Sequence, residues 1–433
     1  MSHPPTSQCL HPSICSSVSA HAKAAGYEQP TLKERIAAIN HGSTSKFKSI
    51  IDTIPGSYEV NFPAPLVLPE DDLALDPDYP PQSFQEWLDE EDRNKITRAK
   101  RTVYIVAPPQ IDDNVTPLRG WTRPQKSRSP APLTAPSPEE IKDYIAAFYH
   151  GLPVKLLPSP ALRFVPWETG PNPKKKTPSH VGLETPKECI GIRTRPCPDR
   201  TYSHQLNLDD LLDAAISILP KDAYALCMLV DHDLFEDDDD EFVCGRAYGG
   251  SRVAVVSSAR YRPDLDTIHS VEREHAWPAS HCQRYVQERC SSQKPPRKKA
   301  SQTKQFSSRD DRLLKEIVHV SSLSPASAEE KAPPGLWLAR MCRTVSHELG
   351  HCFGIDHCVY YACAMQGSAS LAEDARQPAY LCPVDLGKVL CATGSAFQER
   401  ERAIEAYCER PGKRGVPFFD ALAAWCRGFT NAN

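Results

Sequence analysis

The pattern of apolar and polar positions divides the chain into a long polar approach, a compact middle and a helical, cysteine-rich end. "RTVYIVAP" (101–108) is a β-branched and aromatic run and predicts a buried strand. "SPEEIKDYIAAFYHG" (137–151) starts with a Ser cap and a Pro in the first turn, carries apolar residues at helical spacing and stops at Gly, so it predicts a helix. "PVKLLP" and "KECIGIRT" predict two further short strands. "NLDDLLDAAISILP" (207–220) predicts a helix capped by Asn207 and ended by Pro220. "AYALCMLVD" (223–231) is apolar throughout and predicts the central strand of a sheet. "FVCGRAYGGSRVAVVSSARY" predicts two strands around a Gly-Gly turn. A helix over 335–354, an amphipathic helix over 395–410 and a short last segment close the chain. This order predicts an α+β fold with a mostly parallel or mixed sheet and no internal repeat.

Outside these segments the periodicity fades. Residues 1–100 read as a Pro-rich extension, partly disordered, with one short helix at "LKERIAAI". Within it, "FPAPLVLPEDDLALDPDYPPQ" (62–82) is too punctuated by Pro for a long helix, but its apolar residues suit an extended strap along a domain surface. Ser83 and Glu86 form a capping-box pattern. Residues 110–138 read as a loop, and residues 285–335, with "KPPRKKASQTKQ", as a flexible basic insertion.

Composition changes this picture in two ways. The net charge of −4 over 433 residues argues against a chain built for nucleic acid or a membrane surface. The start lacks the basic and apolar regions of a secretory signal, and no apolar run approaches the roughly 20 residues of a membrane span. The cytoplasm is therefore the expected location, with the basic insertion pointing to the nucleus as a second one. In such a reducing setting the 16 cysteines are expected to bind metal or pack in the core rather than form a disulfide framework.

Candidate chemistry is concentrated in "HELGHCFGIDHC" (347–358). His347 and His351, four apart on a helix, rotate about 400° and so face the same way. Two neutral imidazoles in that relation suit zinc. Glu348 lies beside the first of them, placed to take a proton from a water rather than to ligate. Gly350 inside the helix implies that something packs closely there. Gly354 can end the helix in a left-handed turn and bring His357 back as a third ligand. Three neutral ligands leave a fourth position open, the arrangement of a hydrolytic site. Cys352 is expected to face away from the histidines. A weaker grouping, His275, His281, Cys282 and Cys290, has spacing that a metal could use, but it adjoins the basic insertion.

The residues that follow sharpen the pattern. "HCVYYACAMQG" carries Cys358, Cys363 and Met365, and "LCPVD" carries Cys382 and Asp385. HExxHxxGxxH followed by a methionine resembles the metzincin zinc peptidases, and the cysteine spacing around it resembles the archaemetzincins, most strongly over 345–388. That resemblance implies a metzincin-like α+β fold with a twisted mixed sheet, an active-site helix and a Cys-rich lower subdomain. It divides the chain into the extension 1–100, an upper subdomain 101–357 that contains the insertion, and a lower subdomain 358–433. It implies a catalytic zinc on His347, His351 and His357, Glu348 as general base, and Met365 as a Met-turn floor beneath the metal. It also implies a second, structural zinc on four cysteines. Here the fourth position is Asp385, so the expected set is Cys358, Cys363, Cys382 and Asp385, with Cys391 as the alternative fourth ligand. The implied function is peptide hydrolysis, aminopeptidase-like on short peptides, with a peptide or protein as partner. The competing reading is a non-catalytic zinc-binding interaction module, which has no need of Glu348.

Overall fold

A computed structural model describes residues 9, 11, 13–39, 62–126, 133–158, 162–167, 179–291, 311–322 and 335–430. In chain order the strands are β1 (Thr102–Val106), β2 (Gln110–Ile111), β3 (Val154–Leu156), β4 (Arg163–Val165), β5 (His180–Glu184), β6 (Cys189–Pro196), β7 (His204–Asn207), β8 (Ala223–Val230), β9 (Leu234–Phe235), β10 (Gly245–Tyr248) and β11 (Val253–Ser257). They form two mixed sheets. The first has the order β10-β11-β8-β1-β3, with β10 antiparallel to β11 and all other pairs parallel. The second has the order β2-β4-β5-β6-β7-β9 and is mainly antiparallel.

The apolar run at 223–230 does form the middle strand of the first sheet, and all eight of its residues are buried. Burial on both faces is why the run shows no polar alternation. Successive side chains still point to opposite faces. Ala225, Cys227 and Leu229 enter one core, and Leu226, Met228 and Val230 enter the other. The first core is closed by the helices Pro138–Phe148 and Leu336–Cys352. The second is closed by the helix Leu208–Ile218 and the second sheet.

Helix starts follow the predicted caps. Asn207 accepts from the amide of Asp210, Ser137 from that of Glu139, and Ser83 and Glu86 make the full capping box. The expected mixed sheet is present, and the second sheet adds to it; β2, β4, β5, β7 and β9 are short and carry little alternation, so the sequence did not mark it. Residues 110–121, read as loop, hold β2, a 3-10 turn and the helix Thr116–Trp121.

The helices Pro383–Thr393, Phe397–Cys408 and Pro417–Thr430 continue the first core into the lower part. One segment expected to be loose is built into it. The helix Asp311–Ser322, inside the basic stretch 285–335, buries Leu314, Ile317 and Val318, and Leu313 lies against Gly428. Its apolar residues sit at helical spacing, which the basic composition around them obscured. Residues 292–310 and 323–334 of that stretch lie outside the described residues, as does much of the loop "GPNPKKKTPSH". The strap behaves as expected. Phe62, Ala64, Val67 and Leu68 are buried along the lower part, and the amide of Ala362 donates to Pro63. Upstream of the strap, the helix Leu32–Ile39 forms at the predicted place, and Tyr27 donates from its hydroxyl to the carbonyl of Val359.

Candidate active site and metal centres

The helix Leu336–Cys352 crosses beneath the first sheet and carries the histidine pattern in its last turns. It ends as the glycine requires. Gly354 adopts φ +74°, its amide donates to His351, and the amide of Ile355 donates back to Gly350. This turn returns the chain so that His357 meets the two helical histidines. The ring centroids are 4.8 Å (His347–His351), 5.0 Å (His351–His357) and 5.3 Å (His347–His357) apart.

Two of the rings are held in one tautomer. His347 Nδ1 lies 2.8 Å from the carbonyl of Ala364, and His351 Nδ1 lies 2.7 Å from the carbonyl of Ile355. A carbonyl only accepts, so each Nδ1 carries the proton and each Nε2 presents its lone pair. Those two Nε2 atoms stand 3.1 Å apart. Burial, and then the neighbouring rings, hold His347 well below the usual histidine value and His351 at about 4. Burial likewise lowers His357. All three are therefore neutral at pH 7, the form that binds a cation. The donor set fits zinc: three imidazole nitrogens within 4.8 Å of one another.

Glu348 is buried beside them. Burial pushes its carboxyl up to about 8, against the pull of Arg246 and Arg343. A dication held by the histidines acts in the same sense as the two arginines and favours the carboxylate. Gly350 shows what the close packing is for. A Cβ there would lie 2.4 Å from Met365 Sδ and 2.7 Å from its Cε. Met365 thus rests directly on the helix under the histidines, and it is fully buried. Cys352 is buried in the first core, and burial raises its thiol.

Cys358, Cys363, Cys382 and Asp385 form a second group, all buried, with ligand atoms within 4.8 Å of one another. Cys358 Sγ is 3.5 Å from Cys382 Sγ, and Asp385 Oδ2 is 3.3 Å from Cys363 Sγ. Against burial, hydrogen bonds from Cys363 and Cys382, and then from the amides of Tyr361 and Tyr360, hold Cys358 well below the usual thiol value, while burial raises the thiols of Cys363 and Cys382. Asp385, not Cys391, completes the group. Three thiolates and a carboxylate would overcharge a dication. The structure answers this with Lys388, one turn on, whose Nζ is 2.9 Å from Asp385 Oδ1 and only 2% exposed. Lys388 also donates to the carbonyl and side-chain oxygens of Gln82, each at 2.8 Å. Sequence reasoning missed it, because a lysine's partner is not legible until the aspartate is known to be buried. The same holds for Tyr79 of the strap, which packs on His357 at 5.5 Å between centroids.

The weaker grouping is only half assembled. His275 and Cys282 converge. His281 instead places its Nε2 3.1 Å from the carbonyl of Ala64, and Cys290 packs beside Leu66 and Leu68.

Three imidazoles on a helix and its following turn, a buried glutamate beside them and a methionine beneath them define a zinc metallopeptidase. The family model of Peptidase family M54 matches residues 314–388. Among characterised proteins, human archaemetzincin-2 is 26% identical over 79% of this chain and 73% of its own length, and rat archaemetzincin-1 is 24% identical over 62% and 42%. Among solved structures, the archaemetzincin of Methanopyrus kandleri is 16% identical, with a TM-score of 0.32 over 69% of this chain and 99% of its own. By these matches the chain is similar to the archaemetzincins over most of its length.

Proposed function

We propose that this zinc-dependent peptidase trims short peptides from their amino ends, with His347, His351 and His357 as the metal ligands and Glu348 as general base. The observation that carries the reading is the paired lone pairs of His347 and His351, 3.1 Å apart, fixed by carbonyls from behind and flanked by a buried carboxyl. Zinc at these nitrogens supplies a Lewis acid and a water of lowered pKa. Glu348 would accept a proton at its carboxylate and pass it to the leaving amine.

The substrate backbone is assigned to β10. This strand pairs with β11 on one side, and no described strand pairs with its other edge. An extended peptide can add there as a further strand. The turn that follows β10 is seated on the active helix: a Cβ on Gly249 would lie 2.5 Å from the carbonyl oxygen of His351. That contact fixes the height of the edge strand above the histidines. Glu236, at the start of the acidic stretch 236–241, ion-pairs with Arg246 of β10. Its carboxylate is the group we assign to the substrate's free amine. A second zinc on Cys358, Cys363, Cys382 and Asp385 is a structural one in this reading, since four protein ligands leave no open position. The cytoplasm is the proposed site of action.

The aminopeptidase reading is tested with one peptide in two forms, one with a free and one with an acetylated amino end. Cleavage of the free form at least tenfold faster is expected, with the preference narrowed by Glu236→Gln. Equal rates on the two forms would remove the amino-end assignment and leave an endopeptidase.

A further inference from the structure

The two ends of a third cluster lie far apart in sequence. Cys9 and His11 come from the start of the chain, and His275 and Cys282 from the segment before the basic stretch. A short antiparallel contact brings them together. Ile14 bridges to Cys282, the amide of Cys15 donates to His281 at 2.8 Å, and the amide of Gln283 donates to Ser13 at 2.9 Å. Just upstream of that contact, Cys9 Sγ stands 3.7 Å from Cys282 Sγ, and the rings of His11 and His275 meet edge to face at 5.5 Å. The four ligand atoms all lie within 4.8 Å of one another.

We propose that Cys9, His11, His275 and Cys282 form a third metal site, a closed Cys2His2 zinc centre that fastens the amino-terminal segment to the segment 272–291. Three observations carry it. First, the sulfur separation suits a shared ion: two thiolates about 2.3 Å from a tetrahedral zinc stand about 3.8 Å apart. A disulfide needs about 2.05 Å. Second, His11 and His275 each bury an Nδ1 that has no hydrogen-bond partner. Glu272, half exposed, reaches only to 3.5 Å of the His275 nitrogen. Buried polar atoms are otherwise almost always paired, so two orphaned nitrogens beside two sulfurs point to a common acceptor of their lone pairs. Third, the antiparallel bridge of Ile14 to Cys282 holds the two segments in register, with all four ligand atoms within 4.8 Å of one another.

The donor set also names the class of ligand. Two thiolates neutralise a dication and two neutral imidazoles complete a tetrahedron, the composition of structural zinc sites. No position is left for substrate, so the site is a staple. What it fastens bears on the lower part, because the amide of Trp277 donates to Ala375 at 2.8 Å and Tyr285 meets Arg376. The site does not depend on the peptidase reading: it shares no residue with the other two clusters.

The test is the zinc content of the full chain, purified with zinc, dialysed and measured by elemental analysis. The Cys9→Ser/His11→Ala variant and the His275→Ala variant are each expected to hold one zinc fewer per chain than wild type. Cobalt(II)-loaded wild type minus either variant is expected to show tetrahedral ligand-field and thiolate charge-transfer bands. An unchanged zinc count, or a flat difference spectrum, overturns the site. Because His275→Ala could disturb packing, alkylation of Cys9 in the unaltered protein is the second measurement. Chelation is expected to speed it at least tenfold and zinc to restore protection. An unchanged rate, or a Cys9–Cys282 disulfide in peptide mapping of unreduced protein, overturns the proposal.

Discussion

Glu348→Gln is expected to keep its metal and lose its reaction. The substitution preserves volume and removes only the basic oxygen. General-base catalysis is worth about 10²–10⁴ in rate, so kcat is expected to fall about 10³-fold, with zinc content unchanged by elemental analysis. Folding stability is expected to hold, because burial already disfavours the charged carboxylate at this position. The loss therefore separates proton transfer from metal binding. His351→Ala, in contrast, is expected to lose both metal and turnover. A Glu348→Gln enzyme within tenfold of wild type would remove Glu348 as the base and require another proton acceptor near the histidines.

Lys388→Met is expected to be the most destabilising single change in the lower part. Lys388 and Asp385 are both buried, their charged atoms 2.9 Å apart. Removing one partner of a buried ion pair costs about 3–5 kcal/mol, since the other charge is left uncompensated. Here the stranded charge sits in the thiolate cluster itself, so the zinc at that cluster should weaken as well. Urea unfolding at fixed zinc concentration is expected to show a lower midpoint with an unchanged slope, and elemental analysis one zinc fewer. Lys388→Arg should recover part of both. Stability within 1 kcal/mol of wild type would show that Asp385 is carried as a neutral acid and that Lys388 has no compensating role.

What could be read without coordinates was whatever depends on local spacing. His347 and His351 share a helical face because they are four apart, and Gly354 allows the turn that delivers His357. Cys358, Cys363, Cys382 and Asp385 could be grouped by the resemblance to the archaemetzincins. Gly350 announced a close contact, and Met365 proved to be the partner. What escaped depends on tertiary proximity. Lys388 acquires meaning only beside a buried Asp385. His281 and Cys290 looked like companions of His275 by spacing, while the residues that join His275 and Cys282 lie at positions 9 and 11. The second sheet escaped for a related reason. Strand β6 pairs on both sides, yet its burial pattern is irregular, so no period of two marks it. In the stretch around the helix Asp311–Ser322, basic composition outweighed a helical period that was present.

The central claim is zinc-dependent hydrolysis at the three histidines. Its most direct test is digestion of a peptide mixture, read by mass spectrometry, with wild-type enzyme as purified with zinc, after chelation, and after zinc is returned. Cleavage, its loss and its return are the predicted sequence, with products shortened from their amino ends. Cleavage that survives complete removal of zinc, or none from enzyme carrying zinc at all three histidines, would contradict it.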